Sequence, residues 1–210
     1  LSYTIEVYKN QQAPEKDFIN FANYVSFFPQ LVAGPIERPQ NLLTPLKNNI
    51  FFCYKNIQEG GRLFLYGLFK KIVIADNISG YVDAVFNNLN KHSSISLVFA
   101  AIFFSIQIYC DFSGYSDMAI GLSKTMNINL MKNFKTPYFS KNITEFWKRW
   151  HISLSTWFRD YVYINLGGSR ISSILTYRNL IITFLISGLW HGANWTFVIW
   201  GFYHGIFVSL

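Results

Sequence analysis

The chain has 210 residues, of which 51% are hydrophobic, only 14% are charged and 19% are aromatic, and its formal net charge is +7. A typical soluble domain carries about 25% charged residues, so this composition argues against a soluble enzyme and for a membrane protein. Nucleic-acid binding is not indicated either. The basic residues lie between hydrophobic segments rather than on a separate tail: Lys47, Lys55, Arg62, Lys70 and Lys71, then Lys124, Lys132, Lys135, Lys141, Lys148 and Arg149. That is the positive-inside pattern of membrane proteins, and it predicts a cytoplasmic interface for residues 124–149.

In chain order, residues 1–17 read as the tail of a helix and a loop, with a turn or helix start at Pro14 to Asp17. Residues 18–33 are apolar but end in AGPIERP (Ala33 to Pro39), which breaks a helix. This short interrupted stretch predicts a re-entrant or interfacial segment, which must be shielded by protein or water. Residues 40–58 read as a loop or surface helix. Residues 61–75 predict an apolar helix interrupted by Lys70 and Lys71, whose long stems reach the interface. Ile95 to Phe112 is the clearest spanning segment, at about 18 residues near the lower limit for crossing the hydrocarbon core. Small residues and Asp117 follow it. Trp147 to Tyr163 predicts an amphipathic interfacial helix. Leu166 to Arg170 reads as a turn, and Asn179 to Leu189 opens a second apolar helix that stays apolar to Leu210. The ends, Leu1 and the apolar run to Leu210, suggest a domain cut at both termini. Cys53 and Cys110 form neither a disulfide framework nor a metal-type spacing.

Titratable groups in such a sequence mark candidate sites, because ionisable residues at membrane depth are costly. His191 stands in LWHGANW. In a continuous helix, Ser187 and Trp195 would share its face, with Asn194 three residues away. Apolar surroundings disfavour a charged imidazole, and the neutral form is what a general base needs. His151 stands in FWKRWHISLS, where Ser155 and Arg159 would share its helical face. Each also has a plain structural reading: a packed histidine for His191, an interface helix touching lipid phosphates for His151. His204 reads as a helix-packing histidine and His92 as a solvated loop residue. Asp111 and Asp117 read as hydrogen-bonding partners between Gly- and Ser-rich helices, with proton carriage as the alternative. There is no phosphate loop, dinucleotide fingerprint, nucleophile elbow or metal-type histidine spacing.

Four blocks together resemble a known family. FFPQLVAGPIERPQNLL, QIYCDFSGYSDMAIG, FWKRWHISLSTWFRDYVYINLGGSR and GLWHGANWTFVIWGFYHG are similar, in this order, to those of the membrane-bound O-acyltransferases, and most of all to the bacterial alginate O-acetyltransferase branch. The resemblance implies an all-α, multi-pass membrane fold with re-entrant helices around a central tunnel, in which residues 1–210 are a single domain. It also implies an acyl group, acetyl above all, passing from a thioester such as acetyl-CoA toward hydroxyls of an exported or cell-wall polysaccharide such as alginate. No bound cofactor or metal is expected. His191 would be the catalytic histidine and His151 its partner in the tunnel. Arg159 and Lys148 are secondary candidates for donor phosphates, and Asn194 and Trp190 for further substrate contacts. The implied partners are the lipid bilayer of the cytoplasmic membrane and an extracellular or periplasmic acetyl-accepting protein or polysaccharide. Two alternatives stay open: D-alanyl transfer to teichoic acid from a carrier protein, and a proton-coupled transporter. One departure is Asn165, where the family commonly has Pro before Leu-Gly-Gly.

Overall fold

The computed structural model describes residues 1–48, 51–170 and 172–210. Among them the secondary structure is helical, with no strand. The chain divides into two compact units, residues 1–132 and 133–210.

The first unit opens with α1 (Ser2–Tyr8) and α2 (Phe18–Val25), the latter capped by Asp17, whose carboxylate accepts from the Ile19 and Asn20 amides. Residues 33–38 are helix-free, and α3 (Pro39–Lys47) starts on the last proline of AGPIERP. Glu37 lies buried in this segment and accepts hydrogen bonds from the Met131 amide and, at 3.4 Å, from Asn41. Burial pushes its carboxyl above the usual carboxylate range. Phe27, Leu42, Ile128 and Leu130 form the adjoining core.

The apolar stretch with two lysines is not broken. α4 (Tyr54–Leu68) runs through a π-helical turn, Phe69–Ala75, into α5 (Asp76–Phe86). The predicted reach of both lysines toward the interface is corrected for Lys70. It is 6% exposed and its ammonium bonds Ser113 at 2.9 Å and Asp117 at 2.5 Å. Lys71 bridges Asp76 and Asp111, each at 2.7 Å. Asp111 and Asp117 are thus held in ion pairs between α6 and the lysines of the π-helical turn.

α6 (Ser94–Thr125) is 32 residues long, so the segment foreseen as Ile95 to Phe112 continues well past it. Its small residues explain the extension. A Cβ on Gly67 would lie 2.5 Å from the Gly114 carbonyl, and one on Gly60 would lie 2.5 Å from that of Gly121. Only glycines let α4 and α6 approach this closely, and α6 gains in packing what its glycines cost in propensity. The outer face of α6 leaves Ile95, Val98, Phe99 and Ile102 exposed. It is long and apolar enough to cross a membrane.

The second unit contains α7 (Ile143–Arg149), α8 (Ile152–Phe158), a π-helical turn at Arg159–Tyr163, α9 (Ser173–His191) and α10 (Trp195–Ser209). α9 is also long and apolar enough to span. α9 and α10 form a close pair: a Cβ on Gly188 would lie 2.2 Å from the Phe197 carbonyl, and one on Gly201 would lie 2.3 Å from that of Phe184. The turn between Leu166 and Arg170 is tied down by buried Asn179, whose amide donates to the carbonyls of Leu166 (3.0 Å) and Gly168 (3.2 Å).

Candidate functional site

The segment Trp147 to Tyr163 is not one interfacial helix. α7 ends at Arg149, and His151 sits in the left-handed region (φ 43°, ψ 55°) as the residue that starts α8. A non-glycine residue there is uncommon, and such conformations persist only where their surroundings hold them. Here Asn133 does so. Its backbone carbonyl accepts from the Ile152 amide at 2.9 Å. Its side-chain oxygen accepts from the Ser153 hydroxyl at 2.5 Å and the Ser153 amide at 3.3 Å. Lys135 adds a backbone bond to the Arg149 carbonyl at 2.9 Å.

The break turns His151 inward. It is 7% exposed rather than facing lipid phosphates, and it no longer shares a helical face with Arg159. Burial pushes its imidazole down to about 3, and the neighbouring His191 adds to the shift. Buried His151 is therefore uncharged at neutral pH.

His191 is the last residue of α9, so the shared helical face foreseen with Asn194 and Trp195 is corrected: the helix stops and α10 begins after Asn194. Its ring stacks on Phe197 (centroids 6.1 Å apart, 24° between planes) and meets Trp200 edge-on at 5.2 Å. The aromatic surroundings are as foreseen, but His191 is exposed. Trp190 is in ring contact with both histidines, its indole 6.3 Å from the His151 ring and 5.0 Å from that of His191. Residues 40 apart in sequence thus meet at one indole.

The secondary candidates are placed differently. Arg159 is exposed and its guanidinium bonds Asp160 at 2.8 Å. Lys148 is exposed on α7. Asn194 caps α10 by accepting from the Thr196 amide at 3.1 Å, which gives it a structural role. Asn165 donates to the Tyr161 carbonyl at 2.7 Å and so closes the turn where the resemblance led one to expect proline. The sequence reading missed Asn133 and Asn179. Both asparagines are almost fully buried, and a polar residue at the start of an apolar stretch is the signal that marks Asn179. Among the described residues, no group of three or more His, Cys, Asp or Glu is gathered as a metal ligand set. A cleft of about 370 Å³ in the first unit is lined by Tyr3, Tyr24, Gln30 and Glu37 among others, and by none of these candidates.

The sequence profile of the membrane-bound O-acyltransferase family matches residues 9–210. The chain belongs to that family. It is 46% identical over 210 residues to the probable alginate O-acetylase of Azotobacter vinelandii, covering 100% of this chain and 42% of that protein. It is 49% identical over 195 residues to the peptidoglycan O-acetyltransferase of Helicobacter pylori, covering 92% of this chain and 37% of that protein. It is 29% identical over 199 residues to the teichoic acid D-alanyltransferase of Bacillus subtilis, covering 89% and 49%. The chain therefore spans about two fifths of the length of its acetylating relatives.

Proposed function

We propose that this chain is the histidine-bearing part of a membrane O-acetyltransferase that acts on hydroxyls of an exported or cell-wall polysaccharide. The observation that carries this reading is the pairing of His151 and His191 about Trp190 in a member of this family. The names and the 46–49% identity of the acetylating relatives support acetyl as the group moved.

The chemistry follows from the two environments. Exposed His191 is the general base. Its imidazole takes the proton from an acceptor hydroxyl as the oxygen attacks the carbonyl carbon of an acyl thioester such as acetyl-CoA. The tetrahedral adduct collapses, the carbon–sulfur bond breaks, and the imidazolium returns its proton to the departing thiolate. A positioned base contributes about 10²- to 10⁴-fold. Buried, uncharged His151 orients the thioester and offers an N–H to the carbonyl oxygen as negative charge develops there. Its fixed backbone turn suits that task, since preorganised donors stabilise a transition state without reorganising.

In this reading residues 1–210 belong to one multi-pass domain of the cytoplasmic membrane. α6 and α9 span the bilayer, residues 18–33 form a re-entrant or interfacial segment, and the histidines face a tunnel. Residues 124–149 lie on the cytoplasmic side. The acceptor is a polysaccharide, or a periplasmic or extracellular protein that passes the acetyl group on. Arg159 and Lys148 remain proposed donor contacts, with Trp190 beside the reacting groups. D-alanyl transfer from a carrier is the second reading, favoured by the likeness to a teichoic acid D-alanyltransferase.

The test uses the full-length protein in detergent or vesicles with radiolabelled acetyl-CoA and deacetylated alginate. Label should enter the polymer. Transfer only from a D-alanyl-loaded carrier would favour the second reading. Proton-coupled solute movement with no covalent acylation would make the protein a transporter.

A further inference from the structure

Residues 133–149 of the second unit carry Lys135, Lys141, Lys148 and Arg149 against one acid, Glu145. That acid is already engaged. Its carboxylate pairs with Arg149 at 2.5 Å and accepts from the Lys141 amide at 2.7 Å. Lys135 and Lys141 are exposed, and among the described residues neither side chain forms an ion pair. Between them in sequence stand Tyr138 and Phe139, and the Phe139 side chain is 82% exposed.

This exposure is built into a well-fastened segment. Pro137–Phe139 is a single 3₁₀ turn with Pro137 buried beneath it. The Phe139 and Ser140 amides donate to the carbonyls of Thr136 (3.2 Å) and Pro137 (3.1 Å). Tyr138 stacks on Phe146 of α7 at 6.3 Å and lies 6.0 Å from Trp150. Phe134 meets Trp150 edge-on at 5.1 Å. The aromatic rings on either side are thus packed, while Phe139 is turned to the outside with a free lysine before and after it.

The combination selects a partner. Ammonium groups only donate, so they call for anionic oxygens. A dissolved phosphate would meet that need and leave Phe139 in water. The surface of an anionic bilayer meets both needs, because lysines reach headgroup phosphates while an aromatic ring enters the acyl boundary. Such a surface is close at hand. The family is membrane-bound, and α9 of the same unit is long and apolar enough to span, with Ile174 and Leu189 exposed on it.

We propose that Lys135, Lys141 and Phe139 form a docking site for anionic phospholipid headgroups, which holds the 133–141 loop on the membrane surface. This rests on the membrane placement given above and is independent of the acyl group transferred.

The test places photoreactive p-benzoylphenylalanine at position 139 of the full-length protein, in vesicles of equal parts phosphatidylglycerol and phosphatidylcholine. Mass spectrometry then identifies what is cross-linked. Phosphatidylglycerol adducts should outnumber phosphatidylcholine adducts by at least about fivefold, since each lysine near an anionic surface favours it by about that factor. Molar salt should abolish the preference, and Lys135→Gln/Lys141→Gln should bring the two adducts to parity. A second measurement needs no label at Phe139. In detergent, Lys135→Gln and Lys141→Gln should each weaken phosphatidylglycerol binding about fivefold by native mass spectrometry, with phosphatidylcholine binding unchanged. Equal adducts in the protein with both lysines, or cross-links to protein instead of lipid, would overturn the proposal. Loss of the phosphatidylglycerol adduct on adding acetyl-CoA would assign the lysines to donor phosphates and do the same.

Discussion

Two replacements of His151 separate a strained turn from a continuous helix by the sign of their difference. His151→Ala and His151→Gly both delete the imidazole and leave nearly the same space. In a helix interior Gly is about 1 kcal/mol less favourable than Ala. In the left-handed region the order reverses, because a Cβ there costs about 1–2 kcal/mol that glycine does not incur. With φ at 43° and ψ at 55°, His151→Gly should be the more stable variant by about 1 kcal/mol. Equilibrium unfolding of the two full-length variants in the same detergent reads the difference directly, and acetyl transfer should be impaired in both. If His151→Ala is instead the more stable by a similar margin, α7 and α8 are one helix, and the inward turn of His151 is wrong.

Further expectations follow from the same geometry. Asn133→Ala strips the hydroxyl and amide of Ser153 of their acceptor and should cost about 1–3 kcal/mol in unfolding, with a fall in transfer rate larger than any change in acceptor KM. His151 titrates at about 3 when folded against an ordinary 6.5. The unfolded chain therefore takes up a proton that the folded chain refuses, so stability is full above pH 6.5 and falls by up to about 1.4 kcal/mol per unit as pH drops toward 3. His151→Phe should flatten that slope in a pH series of unfolding curves. Lys70→Leu leaves Asp117 without its partner and should cost about 3–5 kcal/mol, most of it recovered in Lys70→Leu/Asp117→Leu, as thermal unfolding of both variants will show. Gly67→Val drives a side chain into the Gly114 carbonyl and should cost about 3 kcal/mol. Gly61→Ala meets no atom within 4 Å and should gain about 0.5–1 kcal/mol.

The sequence shows where apolar helices run but not where they stop. α6 was legible as an apolar run to Phe112. Its continuation to Thr125 was not, because Gly114 and Gly121 look like helix breakers until Gly67 and Gly60 are known to lie against them. The break at His151 has no local signal at all. Neither proline nor glycine stands there, and the turn is fixed by Asn133, 18 residues upstream, through bonds that only the fold brings into register. Lys70 looked free to reach the interface because its partners, Ser113 and Asp117, lie more than 40 residues away. The two candidate histidines stood out as polar residues in apolar surroundings. Their convergence on Trp190 depends on how α8 and α9 fold together, which no periodicity encodes.

His191 is the residue on which the proposed chemistry turns. Single-turnover transfer of labelled acetyl from acetyl-CoA to a polysaccharide hydroxyl should be compared in full-length wild-type protein and His191→Ala, with matched membrane insertion and unfolding curves. Loss of about 10²- to 10⁴-fold in the transfer rate with donor binding retained is the expected result. Transfer by His191→Ala at a rate close to wild type would contradict the assignment of His191 as the base.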